Sequence, residues 1–126
     1  MQQKNCPTVY TPDCLQIIHC RQSHWVAATT VRCHNNEVIL YDSMFRELEE
    51  STASAIYNLF NTRQIKVAKC QQQQGAVDCG LFAIAFATSV AHGCDPATSE
   101  YIQAHMRMHL LRCFSQGTLV LFPLKN

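Results

Sequence analysis

The apolar positions of this chain change period about a third of the way along, from the short runs of strands to the longer repeat of helices. Leu15 to His19 (LQIIH), Trp25 to Val31 (WVAATTV) and Val38 to Tyr41 (VILY) are short, rich in β-formers and bounded by polar residues, which is how strands read. Between the second and third lies CHNNE, where Asn35-Asn36 can take the positive φ values of a tight hairpin turn. Two or three neighbouring antiparallel strands are therefore expected. In Ser51 to Phe60 (STASAIYNLF), Ala55, Ile56, Leu59 and Phe60 recur at helical spacing, with Ser51 as the expected cap. Ile65 to Ala68 (IKVA) reads as one more short strand. LFAIAFATSVAHG is apolar almost all round, which indicates a helix buried on every side, and Gly93 is placed to end it. Ser99 to Phe114 is a further helical pattern with Tyr101, Ile102, Met106, Leu110 and Phe114 on one side. The closing TLVLFPL is extended and stopped by Pro123.

Composition narrows the class. A chain of 126 residues suggests one domain with a real core. Residues 1–13, polar and carrying Pro7 and Pro12, read as a lead-in segment or the remnant of a longer N-terminal region, and residues 14–126 as the domain proper. With 48% hydrophobic and 15% charged residues the balance is globular rather than disordered. A net charge of +1 without a basic block argues against a nucleic-acid groove and against electrostatic binding to a membrane. No apolar run approaches a membrane span, and the N-terminus lacks the apolar region of a secretory signal. An intracellular place, nucleus or cytoplasm, is expected.

Eight cysteines are many for this length. A disulfide scaffold would suit a secreted domain, which the missing export signal disfavours. A structural zinc site wants close ligand pairs. His105 and His109 have that spacing, and His19-Cys20 and Cys33-His34 are adjacent, but no CxxC occurs. The remaining reading is reduced, buried thiols acting as small hydrophobes, for every cysteine but one.

That one is Cys79, in Asp78-Cys79-Gly80 at the start of the apolar helix. Unpaired N–H groups and the positive end of the dipole favour a thiolate there, and Gly80 lets a substrate backbone come close. His24 heads a strand and can take a proton from a thiol. Asp42 ends the neighbouring strand at the same open end of the hairpin, where a carboxylate can orient the imidazole. A glutamine upstream of the cysteine can donate to an oxyanion, with the Cys79 N–H as second donor. Each piece alone has a plainer reading: a buried thiol, one of six histidines, an Asp facing water, a polar loop.

Together, HW…YDS…QQQQGAVDCGLF, with His24 and Asp42 separated by 18 positions and Gln73 six before Cys79, resembles the Ulp/SENP family of ubiquitin-like-protein-specific proteases over roughly residues 15–126. More distantly it is similar to the adenovirus protease. The resemblance implies an α+β, papain-like fold: a central buried helix on a small, mostly antiparallel sheet. It implies a thiol protease that hydrolyses the C-terminal tail bond of a ubiquitin-like (SUMO-like) protein or its conjugates, with no metal or organic cofactor. His24 becomes the base, Asp42 its partner, Cys79 the nucleophile and Gln73 the oxyanion donor. Trp25 matches a substrate-binding tryptophan that helps cover the channel for a Gly-Gly tail. The family usually has glycine three residues before the cysteine. Here Ala76 stands there and Gly75 one place earlier, which leaves Gln72 as second candidate for the oxyanion role. Family domains are longer at the N-terminus and often carry a second tryptophan, so this chain is expected to start late in such a domain or to be a minimal form, its cleft completed by self-association or a partner. Two alternatives stay open: a catalytically weak or inactive domain that binds a ubiquitin-like protein or another partner, and a structural zinc-binding interaction domain.

Overall fold

In the computed structural model, which describes residues 9–125, the chain runs β1 (Leu15–Cys20), β2 (His24–Thr29), β3 (Glu37–Tyr41), α1 (Glu50–Phe60), β4 (Gln64–Val67), α2 (Cys79–Ala91) and α3 (Gln103–Gln116), with a single 3-10 turn at Pro96–Thr98. Residues 1–8 of the lead-in segment, Cys6 and Pro7 among them, lie outside the described part. The sheet order is β1-β2-β3-β4. β1 and β2 pair antiparallel from Leu15 opposite Thr29 to Cys20 opposite His24, and β3 is antiparallel to β2. β4 pairs parallel with β3, because α1 stands between them as a crossover and returns the chain in the same direction. The fold is thus the α+β arrangement expected, with a mostly antiparallel sheet.

The period of two in β2 explains why helices cover both faces. Val26 and Ala28 join Ile18, Val38 and Leu40 with Ile56 and Phe60 of α1 in one cluster. Ala27 points the other way, into a cluster with Leu81, Phe82 and Phe86 of α2 and with Tyr101, Met106 and Phe122. A sheet sandwiched in this way needs apolar residues at successive positions, as VAA and VILY provide. α2 is buried along nearly its whole surface, only Gly80, Ile84 and Ala91 falling outside the buried class. Phe82 and Phe86 are fully buried, each contributing about 1.5–3 kcal/mol of transfer free energy. Gly93 follows α2 with φ +80°, the left-handed conformation that stops a helix.

Four local expectations need correction. The β2–β3 connection is a loop over residues 30–36 rather than a two-residue hairpin, with Asn35-Asn36 forming a turn at its end in which Glu37 N–H donates to His34 O at 3.1 Å. Asn36 is left-handed (φ 66°), but its counterpart is Arg32 (φ 56°) rather than Asn35. The loop is drawn wide because Thr30 Oγ1 donates to Thr11 O at 2.7 Å and accepts from Cys14 N–H at 3.0 Å. Ser51 does not cap α1: Glu49 is the N-cap, without a side-chain capping bond, and the Ser51 hydroxyl is bonded instead to the Glu49 carboxylate. Glu50 in the first turn suits the dipole there. Leu59, read as apolar-side, is exposed, since Thr52, Ala53, Ile56 and Phe60 form the inner stripe. Finally, Tyr101 and Ile102 precede α3, and Phe114 is 70% exposed. The inner stripe of α3 is Met106 and Cys113, with Leu110 between them against the core, and Phe114 falls one position beyond it.

Candidate active site

His24 is the first residue of β2 and Asp42 the first after β3. The register sets Ala27 opposite Tyr41. One step further it sets Asp42 opposite Val26, so His24 is a diagonal neighbour on the same face. Their side chains meet: His24 Nε2 lies 2.7 Å from Asp42 Oδ1, and each side chain is only 5% exposed. The same oxygen accepts from the N–H groups of Met44 at 2.9 Å and Phe45 at 3.0 Å. Three donors converge on Oδ1, so the carboxylate has one position. With Nε2 donating to Asp42, Nδ1 is the imidazole nitrogen left to accept a proton. It is buried and bonds to no described residue. The Phe45 ring stands edge-on to the imidazole at 5.2 Å, and the Arg21 guanidinium lies 4.0 Å over that ring. This stack packs against one side of the imidazole.

Cys79 opens α2 and is buried. It shares a cleft of about 180 Å³ with His24, Arg21, Ser23, Met44, Phe45 and Ala76. The first bond of α2 runs from Phe82 N–H to Asp78 O, so the N–H groups before it are free for an anion at the helix start. Cys79 Sγ and His24 Nδ1 are not hydrogen-bonded to each other. Larger hollows of about 460 Å³ beside residues 71–74 and about 510 Å³ beside Tyr41 and Lys66 contain neither a cysteine nor a histidine. Trp25, 41% exposed, stands beside the start of α2: a Cβ placed on Gly80 would meet its Cδ1 at 3.8 Å. That is ordinary contact, so packing within the chain does not demand glycine at 80.

The glutamines divide the work. Gln72 Nε2 donates to Asp42 O at 3.0 Å and Cys70 O at 3.2 Å, which commits it inward. Gln73 is held by its N–H on Ser43 O at 2.7 Å and by the Ser43 hydroxyl on its Oε1 at 2.5 Å. Its Nε2 donates to Gly75 O at 3.1 Å. Gly75 is left-handed (φ +77°), so the turn that frees Ala76 for the cleft is made one place earlier than glycine at 76 would make it. Phe45, Arg21, Gln103 and Arg107 were not singled out from the sequence. Gln103 and Arg107 have the spacing of one helix face, but only the fold supplies their partners.

Burial pushes the thiols of Cys20 and Cys33 up, and that of Cys70 to about 11, which holds them protonated at neutral pH. All seven cysteines among the described residues are free. Among the described residues no group of three or more His, Cys, Asp or Glu could hold a metal ion, and no helix is long and apolar enough to cross a membrane. In comparisons with known proteins, the family model described as the Ulp1 protease family, C-terminal catalytic domain, matches residues 2–114. No curated protein and no solved structure matches the chain.

Proposed function

The chain belongs to the Ulp1 protease family, as a cysteine peptidase matched through the catalytic domain, and from that premise we propose that Cys79, His24 and Asp42 cleave the C-terminal tail bond of a ubiquitin-like protein of the SUMO type. The observation that carries the reading is the buried His24–Asp42 pair, 2.7 Å apart, whose Nδ1 is unpaired in the cleft that Cys79 lines.

The Cys79 thiol gives its proton to His24 Nδ1, and the sulfur attacks the scissile carbonyl. Asp42 holds the imidazole and offsets the charge it gains, without taking the proton itself. The oxyanion is met by the Cys79 N–H and by Gln73 Nε2, whose two hydrogens leave one available beside that given to Gly75 O. Collapse expels the amine, protonated by His24, and leaves an acyl-thioester. Water attacks it with His24 as base, releasing the tail as a carboxylate and restoring the thiol. Before substrate binds, the nucleophile–base bond of such sites is often long and tightens in the complex. Trp25, beside Gly80, is the wall against which a narrow Gly-Gly tail would lie.

The test is labelling by a SUMO-type protein carrying a C-terminal electrophile. One adduct at Cys79 is expected, absent in Cys79→Ala and strongly slowed in His24→Ala. Binding of the probe without an adduct would support a non-cutting ubiquitin-like-protein module instead.

A further inference from the structure

We propose that Gln103, at the start of α3, is a positioning residue that sets the span between the two oxyanion donors. The inference rests on the assignment of Gln73 and Cys79 above. Gln74 and Asp78 are the ends of the short exposed turn that joins these donors, and one side chain holds both ends. Gln103 Oε1 accepts from Gln74 N–H at 2.9 Å, and Nε2 donates to Gln74 O at 2.8 Å and to Asp78 Oδ2 at 3.0 Å. Arg107, one helical turn on, takes the other oxygen, Asp78 Oδ1, at 2.7 Å.

Nothing apolar does this work. Val77 is 82% exposed, and the space beside Gly75 is open to 4 Å. A turn without a core anchor keeps its shape through its hydrogen bonds. A second clip has the opposite sense: Gln71 Oε1 accepts from Tyr101 N–H at 2.6 Å, and Gln71 Nε2 donates to Tyr101 O at 3.0 Å. Two side-chain amides thus replace the rungs of a strand pairing between residues 71–74 and 101–103. Tyr101 is anchored in turn on α2, its hydroxyl 2.7 Å from Ser89 Oγ. The circuit runs from the far half of α2 through Tyr101 and Gln103 back to the residue before Cys79. Gln73 is fixed from one side by Ser43 and from the other by this clamp. An oxyanion hole works only if its donors already sit where the charge develops, and a displaced donor loses rate rather than binding.

The experiment uses the full chain with Gln103→Ala, which removes the clamp, and Gln103→Glu, which keeps the acceptor but loses both donated bonds and sets a carboxylate against Asp78. On a peptide ester, kcat is expected to fall about 10–100-fold in both while KM stays within about threefold. Alkylation of Cys79 by iodoacetamide, in which the sulfur displaces iodide and no oxyanion forms, stays within about twofold of the parent, because the oxyanion donors have no charge to meet. Hydrogen exchange of the segment 72–79 speeds up while the sheet is unchanged. Equal losses in ester turnover and alkylation would overturn the proposal, since that pattern means a displaced nucleophile. So would unchanged turnover, or unchanged exchange at 72–79. If the alanine variant does not fold, the glutamate variant decides. Cys79→Ala tells the two failures apart: if it still turns over the ester, the assignment of Cys79 falls and the oxyanion role of the clamp falls with it, whereas an inactive Cys79→Ala beside parent-like Gln103 variants overturns the clamp alone.

Discussion

Asp42 is crowded for a single carboxylate: one oxygen takes the imidazole and two backbone N–H groups. Asp42→Asn keeps an acceptor for those N–H groups but offsets no charge on the imidazole. Turnover is expected to fall by roughly two to four orders of magnitude with the circular dichroism spectrum unchanged. Parent-like kcat/KM would remove Asp42 from the mechanism. The neighbouring glutamines should separate by kind of loss. Gln73→Ala, which removes the proposed oxyanion donor, is expected to cost about 2.7–4 kcal/mol of barrier with little change in KM. Gln72→Ala leaves two inner carbonyls short of a donor and is read mainly in stability, about 1–3 kcal/mol by urea unfolding. If the two effects exchange places, the donor is Gln72. That His24 and Asp42 meet and that Cys79 lines their cleft was legible, because residue type and chain order carried it. Gln103 was not, because a glutamine on a helix means nothing until residues 74 and 78 arrive beside it. Ser51 misled for a related reason: a hydroxyl near a helix start is only an offer, and a carboxylate two residues away took it.

At the scale of elements, the sequence pattern found β1 to β4 and α1 to α3 and the antiparallel neighbours among the first three strands, but neither the partner of β4 nor the 3-10 turn at Pro96–Thr98. Nothing in IKVA says that it pairs parallel with VILY, because that follows from the α1 crossover. The same limit explains the α3 stripe: the pattern fixes which residues share a side, while the position of α2 decides which side is inner. The consequence is measurable. Phe86→Ala in α2 empties space at a fully buried ring and should cost about 3–5 kcal/mol by urea denaturation. Phe114→Ser removes a ring that is 70% exposed and should stay within about 0.5 kcal/mol. A large loss at Phe114 would mean that another surface covers it in solution.

For the whole molecule, the buried thiols and phenols predict how stability follows pH. Desolvation raises Cys70 from 9.0 to about 11 and pushes Cys20, Cys33, Tyr41 and Tyr101 up as well. Each is neutral when protonated, so the native state keeps protons that the unfolded chain gives up. Their contribution is complete below the ordinary values and is lost as pH rises through the native ones. With reductant present, the urea midpoint should therefore begin to fall near pH 9 and keep falling through Cys70's native value of about 11. A midpoint constant to pH 10.5, inside this predicted window, would show these groups to be solvated.

The socket around α2 has one more consequence. The stretch from Leu81 to Ala91, LFAIAFATSVA, carries no charge and is packed between the sheet and Tyr101. Once heat opens the fold, this stretch meets other copies of itself sooner than its own socket, and opened chains associate through such surfaces. Thermal inactivation then becomes a race rather than an equilibrium: the apparent melting point depends on scan rate and protein concentration, and cooling does not restore the enzyme. The helix that opens with Cys79 is also the one through which the protein would be lost to aggregation.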